Sequence, residues 1–251
     1  MNNLYKIAGK HRTIEANIRL GRILAVIAGF INAGGFFIVQ QYTSHMTGIA
    51  SLAADNVALG NYYEAFLMLF YVGCFVGGAT ATTVITLTSK KYMLHSQYAI
   101  SLVFEALILL FLLALNLSEA GVHFLVVETI AMLCFLMGLQ NALITKISLA
   151  SIRTTHITGM STDLGMEIGR IIFLEQNKEV NKQRAFLHFS MIFLFICGGI
   201  AGAFSFKILG VYAVLPPVAV LFFVSYKPIV RDIIFRIKHS KRKNRACSVS
   251  V

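Results

Sequence analysis

The sequence predicts an all-α membrane protein of six transmembrane helices, arranged as a 3+3 inverted-topology repeat with both termini in the cytoplasm. Three observations predict it: too little charge for a water-facing globule, six long apolar runs, and a short phrase written twice. Of the 251 residues, 57% are hydrophobic and 13% charged, about half the charge of an ordinary soluble domain. The apolar runs are 23–39, 65–88, 98–117, 122–145, 185–206 and 208–226. Each is close to the ~20 residues that cross about 30 Å of hydrocarbon. The phrase is "SHMTG" at 44–48 and "THITG" at 155–159.

Taken in order, the connections alternate in charge. Residues 1–22 carry Lys6, Lys10, Arg12, Arg19 and Arg22, and the first connection, 40–64, carries no Lys or Arg. The second has Lys90 and Lys91, and the third, 118–121, has none. The fourth, 146–184, has Lys146, Arg153, Arg170, Lys178, Lys182 and Arg184, the fifth only Lys207, and the tail from 227 holds eight. Of the 22 cations, all but Lys207 fall on the termini and the even-numbered connections, which is the positive-inside pattern for six spans with cytoplasmic ends. The net charge of +11 is therefore a topology signal and not a nucleic-acid footprint. The first run holds Asn32 and lacks a small-residue cleavage site, so it reads as an uncleaved span. The last run contains Pro216-Pro217, which predicts a break or kink there. The tail segment "RIKHSKRKNR" (236–245) reads either as a solvated stop-transfer flank or as a binder of anionic lipid, at about 1 kcal/mol per cation. Three cysteines lie in apolar runs and the fourth in the tail, which argues against disulfides. No metal-ligand spacing occurs, and no cofactor is expected.

The repeat extends beyond the phrase. "GFINA" (29–33) precedes "SHMTG", and "GLQNA" (138–142) precedes "THITG". Asn32 and Asn141 are 109 positions apart, and His45 and His156 are 111 apart. Asn and His are costly in a membrane, so their recurrence carries weight. A weaker match sets "GCFVGGA" (73–79) against "GGIAGA" (198–203), both containing G-x-x-x-G, a spacing common where membrane helices pack closely or oligomerise. The expected units are 1–120, 121–226 with three spans each, and a basic tail, 227–251. Three is odd, so the second unit sits upside down relative to the first. The two His motifs are then expected toward opposite faces, in broken or re-entrant helices near 41–55 and 148–162. Inverted repeats let a transporter exchange inward-open for outward-open by exchanging the conformations of its halves.

The block "GLQNALITKISLASIRTTHITGMSTDLG" (138–165), with "GFINAGGFF" and "SHMTG", resembles the YoaK-like family of bacterial integral membrane proteins, catalogued as domain of unknown function 1275. The resemblance covers about 20–226. It implies a multi-pass protein of the bacterial cytoplasmic (inner) membrane and supplies no activity.

Candidate pathway or substrate-binding residues are Asn32, His45, Thr47, Gly48, Asn141, Arg153, His156, Thr158 and Gly159. Gly48 and Gly159 are placed at helix interruptions, where neighbouring Ser and Thr make good N-caps. A half-helix starting there would aim its positive dipole end into a cavity. His45 and His156 can contact solute or shuttle protons, or simply cap backbone groups and tie helices together. Asn32 and Asn141 can line the pathway or hydrogen-bond between helices. Arg153 can attract an anion, but the first half has no cation at that place, so no symmetric anion clamp is expected. Glu105 and Glu128, inside apolar runs, are candidate proton or ion sites. Asp163 is another, or opens an interfacial helix over 161–175 with a Glu167–Arg170 pair. The leading reading is passage of a small solute; a sensor, lipid-binding protein or scaffold is the alternative. An intramembrane enzyme ranks below both, because no nucleophile elbow, His-Glu-x-x-His or phosphate loop occurs.

Overall fold

A computed structural model gives the fold. It describes residues 14–92, 96–117, 122–148, 154–174 and 177–249, with the backbone alone at 14, 122–125 and 235–249. The helices are α1 (Ile14–Val39), α2 (Met46–Ala58), α3 (Tyr62–Lys91), α4 (Gln97–Leu117), α5 (Val122–Ile147), α6 (Ile157–Phe173), α7 (Lys178–Leu209) and α8 (Leu215–Val249), with a 3-10 turn, Gly210–Val214, between the last two. Among the described residues there is no strand, so the all-α class expected from the apolar runs holds.

Among the described residues, five helical stretches are long and apolar enough to cross a membrane: Glu15–Val39, Tyr62–Lys91, Gln97–Leu117, Val126–Ile147 and Lys178–Ile234. The fifth is 57 residues long, which would be about 86 Å of straight helix at ~1.5 Å per residue. It contains both the fifth and the sixth expected runs, and it doubles back. Gly210 takes a φ of 56°, a left-handed value that glycine adopts at little steric cost. Beyond it, Val214 clusters with Phe206 and packs near Leu113 at the C-terminal end of α4. At the other end of α4, the backbone N–H and hydroxyl of Ser96 donate to Asp232 Oδ2 at 2.7 and 2.6 Å. α8 therefore runs antiparallel to α4. Pro216 and Pro217 do not break it, contrary to the sequence expectation. They sit in its first turn, where the missing N–H groups have no helical acceptor in any case. The break lies five residues earlier, at the 3-10 turn.

The main packing pairs join early helices to late ones: α1 packs on α7, and α3 on α5. Both pairs are parallel. Val26 faces Gly198, Phe30 faces Gly202 and Gly34 faces Phe206, advancing four residues on each helix. On the other pair, Tyr71 clusters with Ile130 and Cys134, Gly78 meets the Phe135 carbonyl, and Thr82 Oγ1 donates to Leu139 O at 2.8 Å.

These contacts recur at matched positions of the two pairs. A side chain on Gly138 would overlap the Phe75 carbonyl, and one on Gly29 the Phe195 carbonyl. One on Gly78 would overlap the Phe135 carbonyl, and one on Gly198 the Val26 carbonyl. Gly29 to Gly138 and Val26 to Phe135 are both 109 positions, while Phe75 to Phe195 and Gly78 to Gly198 are both 120. The equivalent of Gly198 is thus Gly78, and the alignment of "GCFVGGA" with "GGIAGA" from Gly73 is corrected by five residues. Gly73 has nothing within 4 Å of the position its side chain would take, so the G-x-x-x-G that begins there does not bring two helices together.

Burial orders the helices from the centre outward. In α1 and α5 61% of the apolar window is buried, against 22% in α3. The outer face of α7 carries Phe186, Phe189, Phe193, Ile196, Ile200 and Phe204, all exposed at a three-to-four-residue spacing. A water-soluble protein does not leave such a stripe uncovered; it is a surface for lipid.

Candidate functional site

Two short helices position the repeated phrases. The chain leaves α1 at Gln40, whose φ is 56°, and re-enters a helix at Met46; His45 is the N-cap of α2 and His156 that of α6. The sequence reading placed Gly48 and Gly159 at the interruptions and expected Ser or Thr as caps. In the structure each glycine is the third residue of its helix, and the interruption precedes the histidine. The glycine is there for space, because a side chain on Gly48 or Gly159 would overlap the imidazole Nδ1 of His45 or His156. The H-x-T-G spacing thus lets an N-cap histidine fold back over the first turn of its own helix.

The two asparagines hold the segments that lead into these helices. The Ser44 N–H donates to Asn32 Oδ1 at 3.1 Å, and the Thr155 N–H to Asn141 Oδ1 at 3.3 Å. Asn141 also donates to Thr155 Oγ1 and accepts from Thr154 Oγ1. Asn32 with Ser44 and Asn141 with Thr155 are equivalent pairs, so the same clamp occurs twice.

Both clamps open on one cavity of about 850 Å³. Asn32, Ser44, His45 and Thr47 reach it from α1 and α2, and Asn141, Thr155, His156 and Thr158 from α5 and α6. Phe75 of α3 and Phe195 of α7 complete the matched set, while Tyr42, Thr145 and Lys146 line it from one side only. The two motifs, expected toward opposite faces in broken or re-entrant helices, line one shared cavity. The volume is in the range of small-molecule sites, about 300–1,000 Å³.

Residues 20–226 match the family described as "Protein of unknown function (DUF1275)". That stretch runs from early α1 into α8 and includes every residue that lines the cavity. The chain belongs to the DUF1275 family. No curated protein matches the chain, and no solved structure does. With its long apolar helices, this DUF1275 chain is a multi-pass, all-helical membrane protein.

Other residues singled out in the DUF1275 sequence lie elsewhere. Arg153 is outside the described residues. Glu105, on α4, is fully buried; its Oε1 accepts from Gln140 Nε2 at 2.8 Å, and its Oε2 has no hydrogen-bond partner among the described residues. Glu128, on α5, is half-buried, and its Oε2 is likewise without a partner among the described residues. Neither lines the cavity. Asp163 sits in the second turn of α6 and opens nothing, because the helix starts at Ile157 and not at 161. The expected Glu167–Arg170 pair forms at 3.0 Å. Sequence reasoning missed Phe75, Phe195, Tyr42, Thr145 and Lys146 as lining residues. A signal existed for part of the set. Once Asn141 faces a cavity, the 3.6-residue period of α5 brings 138, 142 and 145 to the same face.

Proposed function

We propose that this protein passes a small solute across the bacterial cytoplasmic membrane, through the cavity at the interface of two inverted three-span repeats. The observation that carries the proposal is the shared wall: residues 109 to 111 positions apart in the sequence, Asn32 with Asn141 and His45 with His156, line a single cavity. The six crossings are α1, α3, α4, α5, α7 and α8. α2 and α6, with 13 and 17 residues, are about 20 and 26 Å long at ~1.5 Å per residue and act as half-helices. Both termini lie in the cytoplasm. In that topology α1 and α7 run outward and α3 and α5 inward, which agrees with the parallel packing of each pair. A half-helix at membrane depth is tolerated where it lines a polar cavity, and inverted halves meeting at such a site suit alternating access. A sensor or scaffold needs no cavity shared by both halves, so passage is favoured over those roles.

The test is flux. The purified full-length chain in liposomes is expected to admit small solutes, read by light scattering, faster than protein-free vesicles. His45→Ala and His156→Ala should each change the rate while leaving the protein folded. Vesicles that stay as tight as the protein-free control across neutral, cationic and anionic solutes would overturn the proposal.

A further inference from the structure

The walls of the cavity carry positive charge and hydrogen-bond donors, with no carboxylate among the described lining residues. In α2 the first helical bond is Ile49 N–H to His45 O at 3.0 Å, and in α6 it is Met160 N–H to His156 O at 3.0 Å. The N–H groups of Met46, Thr47 and Gly48, and of Ile157, Thr158 and Gly159, therefore have no acceptor within their helices. Neither N-cap histidine supplies a side-chain acceptor. His45, Thr47, His156 and Thr158 are exposed, so these helix starts are open to water or a ligand, and each dipole favours negative charge, each end counting as about half a positive charge. Here two such ends meet in one space.

Two further observations, independent of the helix ends, point to the same ligand. Asn32 is 9% exposed and lines the cavity; its Oδ1 is taken by the Ser44 N–H, while its amide N–H groups have no acceptor among the described residues. Lys146, on the α5 wall, has no ion-pair partner among the described residues. A half-buried ammonium lacks a counter-charge and the Asn32 amide lacks an acceptor, and a small anion supplies both at once. We propose that the cavity binds a small soluble anion of the carboxylate or inorganic oxyanion class, held between the first turns of α2 and α6, the Asn32 amide and the Lys146 ammonium. This deepens the passage reading and rests on the same cavity. It also replaces the symmetric clamp that the sequence could not supply: the symmetric part of the site is the pair of helix ends, and the side-chain cation is one-sided.

The experiment reads binding without flux, so the two proposals fail separately. The full-length chain in nanodiscs of phosphatidylcholine alone is melted in potassium formate, potassium nitrate and glycerol. Formate and nitrate should raise the melting temperature in a saturable way, and glycerol should not. Lys146→Met should weaken the apparent affinity about ten-fold, the loss of one charge-assisted hydrogen bond, with Lys146→Arg recovering most of it. Lys91→Met, on an exposed lysine at the end of α3, serves as the control and should change nothing. Thr158→Asp, which puts a carboxylate on the first turn of α6, should abolish the anion effect and provides a second route if Lys146→Met folds poorly. The anion assignment is overturned by an equal shift from glycerol, by Lys146→Met matching Lys91→Met, or by stabilisation that arises only when anionic lipid is added. Anion binding without any solute flux would overturn passage and leave the site. Neutral-solute flux without anion binding would do the reverse.

Discussion

At the scale of single residues, the glycines divide by what stands in front of them. At Gly48 and Gly159 the obstacle is the end of a histidine side chain, which can swing away. Gly48→Ala and Gly159→Ala should therefore cost no more than about 1 kcal/mol, while displacing the imidazole and altering flux or ligand affinity. At Gly138 and Gly78 the obstacle is a backbone carbonyl of the facing helix, which cannot move without parting α3 from α5. Gly138→Ala should cost about 1–3 kcal/mol or more. Thermal melts of the three variants check the ordering, and equal losses at Gly48 and Gly138 would contradict it. The motif itself was legible in the sequence, since scarce Asn and His recurred. The role of its glycine was not. Sequence spacing alone does not separate a residue at a helix break from one inside the first turn, and only the position of the imidazole decides.

At the scale of elements, the short helices depend on the asparagines. Each Asn accepts a backbone N–H from the segment entering α2 or α6, and leaving such a group unpaired costs about 1–3 kcal/mol. Asn32→Ala and Asn141→Ala should loosen 41–46 and 154–158, respectively, more than they destabilise the whole. Hydrogen exchange should rise in the matching segment and stay low in α1 and α5. Loss of protection throughout would mean that the asparagines hold the helices together instead. The long helices were legible from hydropathy, because crossing a bilayer imposes both length and composition. The course of α8 was not, since Pro216-Pro217 is equally consistent with a kink and with a first turn. The upstream glycine settled the matter by taking a left-handed conformation that no periodicity announces.

At the scale of the whole molecule, the charge alternation along the chain and the parallel pairs α1 with α7 and α3 with α5 both agree with the topology proposed above. Asn61→Cys should be labelled by an impermeant maleimide from outside intact spheroplasts, and Lys91→Cys only after permeabilisation; labelling of both from one side would exclude the inverted arrangement. Counting spans and cations carried the sequence reading this far. It could not show that the two phrases share a cavity. Charge counting assigns a segment to a side of the membrane and says nothing about how deeply that segment turns back.

The pairing of α1 with α7 also sets a schedule. Val26 faces Gly198, 172 positions further along, and at roughly 5–20 residues per second of synthesis the first helix waits on the order of ten to thirty seconds for its neighbour. Glycines shaped for a backbone not yet made, Gly29 among them, meanwhile face lipid or the insertion machinery. α3 waits less, since α5 follows it after a single intervening helix. On that timing the α3–α5 pair can form before the α1–α7 pair, while α1 already has α5 to pack against.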